Sequence, residues 1–180
     1  MTTQPVIQER YKSDHLFLLV GTNPLPNFVA ATLMLRSQGQ LYLVHSDKTK
    51  AVAERLARYW TATEQQPQPQ FVCVDESDGA NIRQHINNAL EGIGNAHVGL
   101  NYTGGTKMMA VHASQTIRDY QTSKRRPVTL SYLDARSNRM YIEHDNDPAF
   151  MTEPLLYEVQ PSIQNIVKLH AFKLVSGIET

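Results

Sequence analysis

The sequence predicts an α/β fold: a three-layer α-β-α sandwich on a mainly parallel sheet, with a C-terminal β-hairpin. Three observations predict it. Short apolar runs alternate with stretches of helical periodicity in the order β-α-β-α-β-α-β-α. Such alternation implies parallel strands with helices on both faces, because right-handed crossovers place them there. The first run, residues 15–20, is continuously apolar, as a strand buried on both faces is. Late in the chain, strand-like residues 127–133 and 139–143 flank a polar turn at 134–138, the pattern of a hairpin.

Taken in order, residues 1–14 are polar and read as a loose start. The first strand, 15–20, ends at Gly21, and Thr22-Asn23-Pro24-Leu25-Pro26-Asn27 is a turn in which Pro26 or Asn27 opens a helix. That helix spans 28–36 and stops at Ser37-Gln38-Gly39. Residues 40–45 form the second strand. Ser46 or Asp47 caps the next helix, in which Val52, Leu56 and Tyr59/Trp60 recur at helical spacing. A proline-broken polar loop at 65–69 leads to a third strand, 70–74, with an acidic exit loop, 75–79. Ile82, Ile86, Ala89, Leu90 and Ile93 mark the third helix, ended by Gly92 and Gly94. A fourth strand, 96–102, precedes a glycine turn and a helix over 108–120 whose Met109, Ala113 and Ile117 share a face. Met108 and Met109 read as core packing. Lys124-Arg125-Arg126 reads as a solvated connection, residues 152–159 as an edge strand, and Ser162 opens a final amphipathic helix.

The chain has 180 residues, enough for one domain with a substantial core. Seventeen basic residues balance seventeen acidic ones, which disfavours a surface for duplex nucleic acid. Cys73, the single cysteine, lies in an apolar run and is expected to be buried; no intrachain disulfide can form, as suits the cytoplasm. The first twenty residues lack a signal-peptide layout, and no apolar run approaches the roughly 20 residues that span a bilayer.

In such a sheet ligands bind beyond the carboxyl ends of the strands. The exit loops gathered there are 21–27, 46–49, 75–79 and 102–107. The last is the most informative. Asn101-Tyr102-Thr103-Gly104-Gly105-Thr106-Lys107 is strand, glycine turn and helix start. Paired glycines permit positive φ and close approach to the main chain. The helix start offers free N–H groups and a positive dipole end, and Lys107 adds a cation, so the turn suits a phosphate or another anion. The alternative is a Gly-Gly turn kept only for packing. It is not a Walker A loop: Gly99 and Gly104 have the spacing, but Gly105 stands where lysine is needed. The dinucleotide fingerprint G-x-G-x-x-G is missing after the first strand, so no NAD or FAD cofactor is expected. The seven histidines have no metal-ligand spacing; His45 reads as a structural histidine. Asp75, Glu76 and Asp78 read as a solvated acidic loop before a metal site, and Tyr102 as packing before a base-stacking platform.

The segment from Asn101 to Met109 resembles the D/N-x-T-G-G-T-K-x-M motif of CRISPR-associated Rossmann-fold (CARF) domains. The turn at 20–27 resembles their first ligand loop, and Ser46-Asp47-Lys48-Thr49-Lys50 the loop after their second strand. The likeness covers about the first 145 residues in layout and implies a Rossmann-like domain over 1–160. It implies a sensor of cyclic oligoadenylates, the messengers of type III CRISPR antiviral defence, that binds cyclic tetra-adenylate or hexa-adenylate across a homodimer. Thr103, Gly104, Gly105, Thr106 and Lys107 would then hold phosphate and ribose. Asn23, Leu25 and Asn27 would border an adenine pocket, with Thr22 in the same ligand-binding loop, and Ser46, Lys48 and Thr49 would close its side. Asp75 and Tyr102, at the heads of the other exit loops, complete the expected set.

Such domains are usually fused to a nuclease or deaminase effector. Pro161 to Phe172 resembles the helix leading to one, in a C-terminal segment 161–180 that reaches toward such an effector or packs on the domain, so the chain reads as a sensor cut from a longer effector or as a small stand-alone sensor. If the domain destroys its own ligand, as a metal-independent ring nuclease using the ribose 2′-OH, Lys107 and Thr106 would be its catalytic residues; no general base is evident in the sequence. The third reading is a monomeric α/β protein binding a mononucleotide.

Overall fold

The computed structural model describes residues 7–64, 67–145, 147–155, 158–159 and 162–171. Its elements are β1 (Ser13–Leu19), α1 (Leu25–Met34), β2 (Leu35–His45), α2 (Lys50–Glu64), β3 (Gln70–Cys73), α3 (Gly79–Glu91), β4 (Val98–Asn101), α4 (Lys107–Lys124), β5 (Val128–Asp134), β6 (Arg139–His144), β7 (Phe150–Met151) and α5 (Ile163–His170). The seven strands lie in the order β3-β2-β1-β4-β5-β6-β7. β1 pairs in parallel with β2 and β4, β2 with β3, and β4 with β5. β6 and β7 are antiparallel, as the expected hairpin requires.

The strands read as continuous apolar runs because both faces are covered. Leu16, Leu18 and Val20 point to one side with Leu41 and Leu43, against Phe28, Ala31 and Met34 of α1 and Leu56 and Trp60 of α2. Phe17, Leu19, Tyr42 and Val44 point to the other, against Ile82 and Ile86 of α3 and Met109, Ala113 and Ile117 of α4. Each fully buried Val, Leu, Ile, Phe or Met among them contributes roughly 1.5–3 kcal/mol. Leu169 of α5 is buried in the first of these layers, and its carbonyl accepts from Arg55 Nε at 3.2 Å. No described helix is long and apolar enough to cross a membrane.

Several expectations need correction. The start of the chain is not loose from Ile7 onward: a 3-10 turn at Glu9–Tyr11 follows, and Tyr11 is buried against the rings of His144 and Phe150. α1 starts at Leu25 and ends at Met34, because Pro26 suits a first helical turn and Asn23 Oδ1 accepts from the Leu25 amide at 3.1 Å. Residues 35–39 are strand, with Gln38 at φ 63°. An ion pair 22 residues apart in sequence supports that extension: Arg36 Nη1 bonds both Asp14 oxygens, at 3.0 and 3.1 Å. α4 runs on to Lys124, and Arg125 ends it in the left-handed region.

Cys73 is exposed, not buried. β3 is the sheet edge, and α2 leaves uncovered the side on which Phe71 and Cys73 stand, while Val72 and Val74 are buried on the other. Met109 packs in the core but Met108 is 41% exposed. The expected edge strand at 152–159 is instead the two-residue β7 at Phe150–Met151. There Thr152 continues the pairing, its amide donating to the Met140 carbonyl and its Oγ1 accepting from the Met140 amide. Residues 156–157 of that stretch, and residues 161 and 172–180 of the expected terminal helix, lie outside the described residues.

At the amino-terminal end of the sheet, one hydroxyl serves two histidines. Thr129 Oγ1 lies 2.8 Å from His97 Nε2 and 2.8 Å from His144 Nδ1. Burial, and then the neighbouring His144, push the His97 pKa down to about 4, and burial lowers that of His15 as well. A histidine with a folded pKa below its unfolded value of 6.5 stabilises fully above that value. Its contribution is lost as pH falls from 6.5 toward 4. Urea unfolding is therefore expected to lose up to about 3 kcal/mol over that window, with a flatter profile in His97→Gln. An equal slope in the variant would contradict the assignment to His97.

Candidate functional site

In the strand order 3-2-1-4-5 the chain leaves β1 toward one face of the sheet and β4 toward the other. A crevice therefore opens between their carboxyl ends. The exit loops of β1 and β4 meet there. A Cβ added to Gly104 would stand 2.2 Å from the Leu19 carbonyl oxygen and 2.8 Å from the Gly21 nitrogen, and Gly105 has φ +73°. The paired glycines thus let the β4 loop close on the backbone end of β1. The Leu19 carbonyl also accepts from Asn27 Nδ2 at 2.8 Å, so Asn27, expected at an adenine pocket, is buried beneath the loop. Thr22 and Asn23 are exposed on the rim and Leu25 is half-buried.

The hydroxyls of the glycine turn are used internally. Asn101 is buried; its Nδ2 donates to Ser131 Oγ at 3.0 Å and its Oδ1 accepts from the Thr103 amide at 3.2 Å. Thr103 Oγ1 accepts from the Leu133 amide at 2.8 Å, tying the turn to β5. Thr106 caps α4, its Oγ1 accepting from the Met109 amide at 3.2 Å and donating to the Glu76 carbonyl at 3.3 Å. The N-terminus of an 18-residue helix remains, with Lys107 as its first residue. Lys107 is exposed and pairs with no acid among the described residues. A free cation, a helix dipole and unpaired amides together can hold an anion.

The loops after β2 and β3 form the flank. The Ser46 amide donates to Thr49 Oγ1 at 3.1 Å in a capping box, which buries both residues. Ser46 Oγ donates to Glu76 Oε2 at 2.7 Å, and Lys48 Nζ, largely exposed, pairs with the other oxygen of the same carboxylate. The Lys48 bond, then the Ser46 bond, hold the Glu76 carboxyl below its usual range, and the Glu76 bond raises Lys48. Asp75 Oδ1 accepts from the amide and hydroxyl of Ser77, which lowers its pKa. Asp78 caps α3, and no group of three or more potential metal ligands occurs among the described residues. A cleft of about 550 Å³ lies here, lined by Ser46, Lys48, Asp75, Glu76, Ser77 and Asn81. His45 is buried with Nδ1 3.1 Å from the Ser46 carbonyl, a satisfied structural histidine.

Tyr102 is half-buried and stacks on Tyr132, centroids 5.7 Å apart; burial pushes its pKa up to about 12. The structure thus gathers Gly21, Gly104, Gly105 and Lys107 at one crevice and Lys48 and Asp75 at its flank, while Asn27, Ser46 and Thr49 are buried. The expected set leaves out Glu76, which joins the two flanking loops and Thr106. Its signal in the sequence was only its place in the third exit loop.

A family profile described as the Card1 CARF domain matches residues 16–147. The chain belongs to this family. Among solved structures, this CARF domain is similar to Can2 from Sulfobacillus thermosulfidooxidans in complex with cyclic tetra-adenylate, with a TM-score of 0.58, 24% identity and 73% of the chain covered. It is also similar to protein VC1899 from Vibrio cholerae, with a TM-score of 0.59, 11% identity and 76% covered. A type III CRISPR defence DNA nuclease activated by cyclic oligoadenylate matches with a TM-score of 0.60 at 16% identity, covering 86% of the chain. At these identities the likeness concerns the fold. The chain spans 36, 35 and 23% of those three proteins, respectively. No curated protein matches it.

Proposed function

We propose that this CARF domain senses cyclic oligoadenylate in type III CRISPR antiviral signalling. It binds the ring, with cyclic tetra-adenylate preferred, across a homodimer and transmits a change of dimer geometry to an effector domain. The observation that carries this reading is the free Lys107 at the start of α4, set beside a glycine turn at the crevice between β1 and β4. A phosphate there meets a cation, helix-end amides and the dipole at once. The family membership and the ligands named for two of the similar structures point to the same ligand class.

A surface beside the motif suits a second copy of the chain. Met108 and Val111 on α4 are exposed, Val111 by 63%. Tyr132 faces Tyr141 across the β5–β6 ladder and Tyr141 faces Met151 across β6–β7, so these three share one side of the sheet. Arg118 of α4 pairs with Glu143 of β6 and links the helix to that side. A two-fold axis near Met108 brings two Lys107 side chains together, and a ring of four identical nucleotides contains a two-fold axis of its own. A charge in the centre of this face is therefore expected to give a folded monomer. Val111→Glu should elute as a monomer in light scattering at micromolar concentration, and bind cyclic tetra-adenylate at least roughly tenfold more weakly than the dimeric wild type. A dimer with unchanged affinity would contradict both the face and the shared site.

A further inference from the structure

In the Ser46–Glu76–Lys48 cluster one carboxylate holds both a hydroxyl and an ammonium at the flank of the crevice. Glu76 receives the Ser46 hydroxyl at 2.7 Å and the Lys48 ammonium, and its backbone carbonyl receives the Thr106 hydroxyl. The side chain of Lys48 is 81% exposed and that of Glu76 21%. The carboxylate is therefore seated and the ammonium is the movable partner. An ion pair of this exposure is worth little in water, so a phosphate can take the ammonium from it.

We propose that Glu76 is a built-in counter-ion which holds Lys48 until a phosphate of the bound ligand takes it, and that it thereby sets the ligand affinity. The proposal rests on the sensor reading, since it makes Lys48 a second cation for the same oligoadenylate. It also gives Glu76 two separable roles. The charge of the carboxylate opposes an anionic ligand, while the oxygen that receives Ser46 and the carbonyl that receives Thr106 position the loops. Glu76→Gln removes the charge and keeps a side-chain acceptor for Ser46. Glu76→Ala removes both.

Titration of the full chain with cyclic tetra-adenylate and cyclic hexa-adenylate tests this. Glu76→Gln is expected to bind roughly three- to tenfold more tightly than the wild type. Lys48→Ala is expected to weaken binding in the wild type, since it removes the ammonium that the phosphate takes and leaves the Glu76 charge unpaired, and to cancel the gain when combined with Glu76→Gln. Weaker or unchanged binding by Glu76→Gln overturns the proposal, and so does a gain that survives Lys48→Ala. Failure of the sensor reading has a different signature: neither ring binds to any variant. In that event inorganic phosphate, titrated against the NMR signal of the Lys48 ε-methylene, still decides the counter-ion. Saturation at lower phosphate in Glu76→Gln supports it, and identical curves overturn it.

Discussion

Lys107→Ala should abolish most ring binding while leaving the fold untouched. The side chain is exposed and pairs with no acid among the described residues, so its removal breaks no internal contact. A cation in the first turn of a helix opposes the dipole; the variant should be as stable as the wild type or a few tenths of a kcal/mol more stable. Binding behaves oppositely. A charge-assisted hydrogen bond to phosphate is worth about 1.5–3 kcal/mol, and a dimeric site loses one such bond in each protomer. The expected loss is therefore at least about a hundredfold. Titration calorimetry beside a thermal unfolding curve separates the two effects. Unchanged affinity would remove Lys107 from the site; a lowered melting temperature would mean that it supports the fold.

Gly104→Ala should do the reverse and damage the fold first. The new methyl would meet the Leu19 carbonyl oxygen at 2.2 Å and the Gly21 nitrogen at 2.8 Å. Both are backbone atoms at the end of the central strand, and neither can swing away. That carbonyl is already held by the buried Asn27 amide, so relief requires moving the β4 loop and breaking the Thr103 and Thr106 bonds that seat it. A cost of about 3 kcal/mol follows from this overpacking. It should lower the melting temperature by roughly 6–12 °C in a domain of this size. Gly105→Ala should also destabilise, since its φ of +73° disfavours any side chain. A Gly104→Ala variant melting with the wild type would show that the loops do not close as described.

The layer architecture was legible because both faces of the central strands are covered: residues 16–20 and 41–44 are apolar at every position, and only burial on both sides calls for that. The glycine turn was legible because strand, Gly-Gly and helix start are contiguous in sequence. What failed to show was long-range. The extension of β2 over residues 35–39 depends on Arg36 reaching Asp14. The exposure of Cys73 depends on β3 being the edge, and strand order is not written in a local pattern. Met108 and Met109 are adjacent and chemically identical, yet one is core and one is surface, because consecutive helical positions point about 100° apart.

The candidate site followed the same rule. Lys107 could be read from its own neighbours. The burial of Asn27 could not, because it depends on how the β1 and β4 loops close over α1. Glu76 is not legible as a site residue for the same reason. An acidic loop normally reads as solvated, and only the fold brings Ser46 and Lys48, 30 and 28 residues away, to its carboxylate.

The most direct test of the central claim is to incubate the protein with cyclic tetra-adenylate and cyclic hexa-adenylate, separate bound from free nucleotide by chromatography, and identify both fractions. The account predicts that intact cyclic tetra-adenylate co-elutes with a dimer at one ring per two chains. Binding of neither ring would contradict the sensor reading, and linear products released into the free fraction would make the domain a ring nuclease instead.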